Sequence, residues 1–178
     1  MARLREERIE VAGEAMIARA DRSLYWPREQ LLIIADLHIG KSESLRQRGL
    51  TLPDGVLADD LTRVSVALAA TGAQRLLVLG DLVHDVHGLT AAVQERVLSW
   101  RREIAIPTAL VVGNHDRGAD TWAPTWDIAT YDAPLTIDPF AFSHEPMEVD
   151  GYNWCGHIHP AVTLHGASDR VRLPCFHV

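Results

Sequence analysis

Leu31-Leu32-Ile33-Ile34-Ala35-Asp36-Leu37-His38 is the stretch on which the fold turns. Five apolar residues in a row, without alternation, describe a strand buried on both faces, and such strands belong to sheets covered on both sides. The run ends in Asp36 and His38, two residues able to ligate metals, where the buried strand emerges into a loop. The same grammar recurs twice. Leu76-Leu77-Val78-Leu79 ends at Gly80-Asp81, and Thr108-Ala109-Leu110-Val111-Val112 runs into Gly113-Asn114-His115-Asp116.

Helical periodicity fills the gaps between these strands. Val56, Leu57, Leu61, Val64 and Leu68 recur at intervals of three and four after Pro53, with Gly72 as a stop, and a second helix is expected over residues 90–102 with Thr90 as its cap. Strands alternating with helices predict an α/β core with parallel pairing, whose sites lie beyond the carboxyl ends of the strands. Upstream, Ala15-Met16-Ile17 and Leu24-Tyr25-Trp26 flank Asp21-Arg22-Ser23 and read as a hairpin. After Asp120 short β-prone segments follow, and the C-terminal half is expected to be mostly strands forming a second sheet packed on the first. Two later strings complete the polar set: Ser143-His144, and Gly156-His157-Ile158-His159.

The chain has 178 residues, 47% hydrophobic and 23% charged, which suits one globular domain over residues 1–178 and excludes a disordered or fibrous chain. A net charge of −7 argues against a broad basic surface for non-specific nucleic-acid binding. It does not exclude a nucleic-acid substrate, because bound divalent cations reverse the local sign. Residues 1–11 do not form a secretory signal, and no apolar run approaches the ~18 residues needed to span a bilayer, so no membrane association and a cytoplasmic location are expected. Cys155 and Cys175, with no CxxC, read as small buried residues.

Two divalent metals about 3.5–4 Å apart need a shared anionic ligand and a mixed oxygen and nitrogen shell. The five strings supply such a set. In an extended segment residues two apart point the same way, so Asp36 and His38 can hold one metal together; His157 and His159 can do the same or serve different metals. Asn114 offers an amide oxygen, His144 an imidazole, and Gly80 and Gly113 allow sharp turns and close approach. Two ionised aspartates under two divalent cations leave the site about two charges positive, which draws an anionic phosphoester. Mn²⁺ is the first choice for a histidine, carboxylate and amide shell, and Fe or Zn also suit it.

In this order the strings resemble the motifs of the calcineurin-like metallophosphoesterase superfamily, over roughly residues 36–159. The resemblance implies a two-sheet sandwich flanked by helices (αββα). It also implies Asp36, His38 and His159 on a first metal, Asn114, His144 and His157 on a second, Asp81 bridging them, and His115 as the histidine that contacts phosphate and protonates the leaving oxygen. A water between the metals, acidified toward hydroxide, is the expected nucleophile, with Asp116 or a nearby carbonyl orienting His115.

The form Ala35-Asp36-Leu37-His38-Ile39-Gly40-Lys41 and the compact spacing to Ser143-His144-Glu145-Pro146 are similar to the bacterial ligase-associated metallophosphoesterases. That likeness implies DNA repair beside an ATP-dependent DNA ligase and a helicase, with single-stranded DNA or RNA as phosphodiester substrate. Gly80-Asp81-Leu82-Val83-His84 resembles the matching motif of double-strand-break repair nucleases, which adds His84 as a second catalytic candidate. Such families continue past Val178, so the chain is expected to lack a final C-terminal strand.

Around the centre, Lys41 is assigned with Asn114 and His115 to substrate binding. Lys41, Arg46 and Arg48 lie in an expected loop before Pro53 that reads first as solvated and of mixed charge, with Glu43 among them, the alternative being contact with a nucleic-acid backbone. Trp100, Trp122, Trp126 and Trp154 read first as core or surface anchors, with Trp122 the one that can meet substrate, while His87, His165 and His177 read as solvent-facing or hydrogen-bonded. Rival functions are a phosphomonoesterase or nucleotide pyrophosphatase using the same metals, and a non-catalytic scaffold on the same fold.

Overall fold

A computed structural model describes residues 5–166 and 169–178. The large sheet begins with β1 (Glu6–Val11), β2 (Glu14–Arg19), β3 (Leu24–Trp26) and β4 (Leu31–Ile34), each antiparallel to the next. It continues in parallel register through β5 (Arg75–Leu79), β6 (Thr108–Val111) and β7 (Ala129–Tyr131). The connections carry α1 (Lys41–Gln47), α2 (Val56–Thr71), α3 (Ala91–Ile104) and α4 (Ala119–Trp122). A second sheet has the order β10 (Tyr152–Cys155), β9 (Phe140–Ser143), β8 (Leu135–Ile137), and β11 (Ala161–His165) pairs with β12 (Arg170–Pro174) in a separate ribbon.

The unbroken apolar runs are explained by what lies on each side. Leu32 and Ile34 of β4, with Leu76, Val78 and Leu110, face α2 and α3 through Leu61, Val64, Leu68, Val93, Val97 and Trp100. Leu31 and Ile33, with Leu77, Leu79 and Val111, face the second sheet and pack with Phe140, Phe142 and Trp154. Alternate residues of one strand thus serve two cores, so no polar face remains and the pattern loses its period. The result is the expected α/β sandwich of two sheets flanked by helices. Gly72 stops α2 in the left-handed region, and the Thr90 hydroxyl accepts from the Val93 amide at the start of α3. No helix among the described residues is long and apolar enough to cross a membrane.

Several expectations need correction. The N-terminal hairpin is there as β2 and β3, but β1 extends it as a charged edge strand in which only Ile9 and Val11 turn inward, a pattern too thin to read as a strand. The second sheet takes only part of the C-terminal half: β7 joins the large sheet beside β6, and the ribbon belongs to neither sheet. The segment holding Lys41 and Arg46 is a helix rather than a loop. It has no apolar stripe to announce it, because its contacts are backbone to backbone and polar. Trp122 is buried against Trp126 at 5.0 Å between ring centres, so it is core and not a substrate contact. Cys175 is exposed and Cys155 half-buried, since neither lies in a layer between sheets.

Candidate metal centre

Parallel pairing of β4, β5 and β6 brings their carboxyl ends to one rim, and Asp36, Asp81 and Asn114 follow those ends by two or three residues. Parallel β9 and β10 bring His144 and His157 to the same place from the second sheet. The loops after β4 and β5 stay joined past the strands: the Asp36 amide donates to the Gly80 carbonyl at 3.2 Å and the His38 amide to the Asp81 carbonyl at 2.9 Å.

Local backbone shape differs from the extended alternation expected of Asp36-Leu37-His38. Asp36 and His38 both adopt left-handed φ, 55° and 49°, as do Asp81 at 50°, His157 at 63° and His159 at 48°. Each such residue costs about 1 kcal/mol or more and persists only where its surroundings impose it. Among the described residues, half of the non-glycine residues in this region of φ are thus polar residues of the five strings. The two side chains of Asp36-Leu37-His38 converge through a tight turn, not through strand pleating.

Two groups of donor atoms result. The ligating atoms of Asp36, His38 and His159 lie within 4.8 Å of one another, with His159 Nε2 3.8 Å from Asp36 Oδ1. In the second group His144 Nε2 is 2.8 Å from Asn114 Oδ1, 3.1 Å from His157 Nδ1 and 3.4 Å from Asp81 Oδ1. Asp81 stands between them, its Oδ2 3.8 Å from His38 Nε2 and its Oδ1 on the His144 side. It is 2% exposed. All seven predicted ligands are therefore brought to one place, and the groups overlap: Asp36 also clusters with Asp81 and His144, and His38 with His84 and His115.

The chemistry of this donor set fits cations. His144 Nδ1 lies 3.1 Å from the Leu79 carbonyl oxygen and donates to it, which in the neutral ring leaves the lone pair on Nε2, the atom that faces the oxygens of Asn114 and Asp81. Electron-rich atoms facing one another without a proton between them are stable only around positive charge. Burial pushes the His38 imidazole down to about 4, so it is a neutral base near pH 7, and its buried Nδ1 has no hydrogen-bond partner. Burial also raises the Asp36 carboxyl, with His159 and the His157 amide pulling the other way.

His115 and His84 stand beside the first group. Their rings stack at 5.0 Å, and His115 meets His38 edge-on at 5.2 Å. His115 Nδ1 lies 2.8 Å from the His84 carbonyl oxygen, and the His115 amide donates to Asp81 Oδ1 at 2.9 Å. Of the two orienting groups expected, the carbonyl is the one in place. Asp116 instead accepts from the amides of Val83 at 2.8 Å and Gly113 at 2.9 Å, tying the loops after β5 and β6 together; burial raises its carboxyl to about 6. The carbonyls of Leu79 and His84 that set the imidazole protons carry no side-chain signal and were invisible in sequence. A cavity of about 710 Å³ lined by Arg101, Ile106 and Trp126 lies at the opposite ends of the parallel strands and holds none of these groups.

Residues 30–170 match the calcineurin-like phosphoesterase family. The fold is similar to the crystal structure of the Pseudomonas putida nuclease MPE, with a TM-score of 0.84 and 34% identity over 97% of this chain and 81% of that one. Comparison with curated proteins gives no match.

Proposed function

This chain belongs to the calcineurin-like phosphoesterase family, and from that premise we propose that it is a two-metal nuclease or phosphodiesterase acting on nucleic-acid strands. One observation carries the reading: Asp81 turns one carboxylate oxygen to His38 and the other to His144, so a single buried anion serves two separate donor groups. Asp36, His38 and His159 would hold a first ion and Asn114, His144 and His157 a second, and Mn²⁺ would suit the mixed shell, as Fe and Zn would.

Bound there, divalent cations lower the pKa of water at the site and supply positive charge to phosphate oxygens. The chain's own groups do the rest. The His84 carbonyl holds the proton of His115 on Nδ1, which leaves Nε2 to receive and deliver a proton at the leaving oxygen. The amide of His115, bound to Asp81, fixes the distance between that imidazole and the metal groups. Burial lowers the pKa of His38 to about 4 and that of His84 in the same direction, which favours uncharged imidazoles beside a metal.

The phosphodiester choice over phosphomonoester is supported by the nuclease likeness. A setting in DNA repair, beside a ligase and a helicase, is part of the same reading and is carried by the sequence resemblance alone. The test compares bis-p-nitrophenyl phosphate, p-nitrophenyl phosphate and single-stranded DNA with Mn²⁺. Hydrolysis of the diester and of DNA supports the reading, and activity confined to the monoester defeats it.

A further inference from the structure

The three basic residues that follow Asp36-Leu37-His38 have different fates. The Arg46 guanidinium is occupied: it donates to Glu43 Oε1 at 2.9 Å, the Pro53 carbonyl at 2.8 Å and Asp54 Oδ1 at 2.9 Å. It fastens the segment leading to α2. Lys41 and Arg48 are exposed at the two ends of α1. Seven residues apart, they lie two turns along the same side of the helix, about 10.5 Å in rise.

Both stand beside the centre. The Lys41 amide donates to the His38 carbonyl at 3.1 Å. Arg48 Nη2 is 3.9 Å from Asp85 Oδ2, and His84 Nε2 is 3.9 Å from that same oxygen. Asp85 is already engaged, accepting from Ser44 Oγ at 2.5 Å and the Gly88 amide at 2.9 Å.

The helix bearing them is fixed in place. Gly40 and Gly88 touch backbone to backbone: a Cβ on Gly40 would sit 2.8 Å from the Gly88 carbonyl, and one on Gly88 would overlap the Gly40 oxygen. Gln47 Nε2 adds a bond to the His87 carbonyl at 3.1 Å. Lys41, His84 and Arg48 are thus carried on one rigid wall rooted in the ends of β4 and β5.

In a chain of net charge −7 such a wall fits a polyanion. Its span of about 10.5 Å is on the scale of a short run of backbone phosphates on one strand. We propose that Lys41 and Arg48 hold backbone phosphates flanking the one at the metals, so that this wall selects a nucleic-acid strand over an isolated phosphoester. This rests on the phosphodiester reading above, and adds the strand's path to it.

The test is fluorescence anisotropy of a labelled, phosphorothioate-linked single-stranded DNA 12-mer with the Mn²⁺-loaded protein across a salt series. Lys41→Ala/Arg48→Ala should weaken binding roughly tenfold and cut the log K against log salt slope by about 1.4, which is ~0.7 per lost phosphate contact. Arg48→Lys should keep the slope, and Arg46→Ala should lower Tm without changing it. The inference falls if the double variant keeps wild-type affinity and slope, or if Arg46→Ala loses as much slope. Hydrolysis of DNA with the double variant's slope unchanged removes the wall and leaves the phosphodiester reading standing. Binding with the expected slopes but no hydrolysis of any diester does the reverse.

Discussion

His115 Nδ1 lies 2.8 Å from the carbonyl oxygen of His84. A ring nitrogen facing a carbonyl at that distance carries the proton, so a backbone oxygen sets both the tautomer and the direction of the imidazole. Nε2 is thereby left without that proton, and the His38 ring stands 5.2 Å from the His115 ring.

Replacing His115 with Ala should lower kcat by about 10²–10⁴, the usual worth of a positioned proton donor, without loss of bound metal. His84→Ala keeps the carbonyl and so should cost less than His115→Ala. Steady-state kinetics with metal analysis on the same samples checks both. A His115→Ala enzyme at wild-type kcat removes His115 from the chemistry.

Asp116 is 1% exposed and accepts two backbone amides, those of Val83 and Gly113. Asp116→Ala strands both donors, and each buried unsatisfied amide costs about 1–3 kcal/mol, so a loss of about 2–6 kcal/mol is expected in urea unfolding. Turnover should fall as well, because these bonds hold Asn114 and His115 against Asp81. An unchanged unfolding midpoint would show that the loops are held by something else.

Gly113 leaves space that no side chain can share: a Cβ there would overlap the amide and Oδ1 of Asp81. Gly113→Ala should therefore displace Asp81 and weaken metal binding more than it weakens the fold. Isothermal titration with Mn²⁺ beside a thermal melt separates the two effects; wild-type metal affinity would contradict the crowding.

The His38 imidazole is pushed down to about 4, first by burial, against 6.5 in an unfolded chain. Between those values the unfolded chain takes up a proton that the folded chain refuses. Metal-free protein should lose stability as pH falls through that window and feel nothing from this group above about pH 7. In His38→Gln the change between pH 7.5 and 5 should shrink by about 1 kcal/mol, allowing for residual exposure. Equal pH profiles for the two proteins in chelator would show that burial does not act on His38.

Much of this was legible in the residues. The runs at Leu31, Leu76 and Thr108 announced buried parallel strands because two cores claim alternate side chains of each. The polar strings announced the centre because histidines and aspartates at such strand ends have few structural reasons to be there. What the residues hid was set by backbone. Asp36 and His38 converge through left-handed turns that no side-chain period reports. Helix α1 is held by a glycine-to-glycine contact instead of an apolar stripe, so Lys41 and Arg48 read as loop residues. Trp122 lay in a polar stretch and still went to the core, because Trp126 and the α3 side of the sheet offered it a partner.

The shared position of Asp81 is tested most directly by metal stoichiometry. Wild-type and Asp81→Asn proteins, loaded with Mn²⁺ and desalted, would be measured by inductively coupled plasma mass spectrometry alongside diesterase activity. Two ions per wild-type chain, falling to one or none in Asp81→Asn together with activity, is the expected result. Full activity in a chain holding a single ion, or an Asp81→Asn protein that keeps both, would contradict a centre in which one buried carboxylate serves two metals.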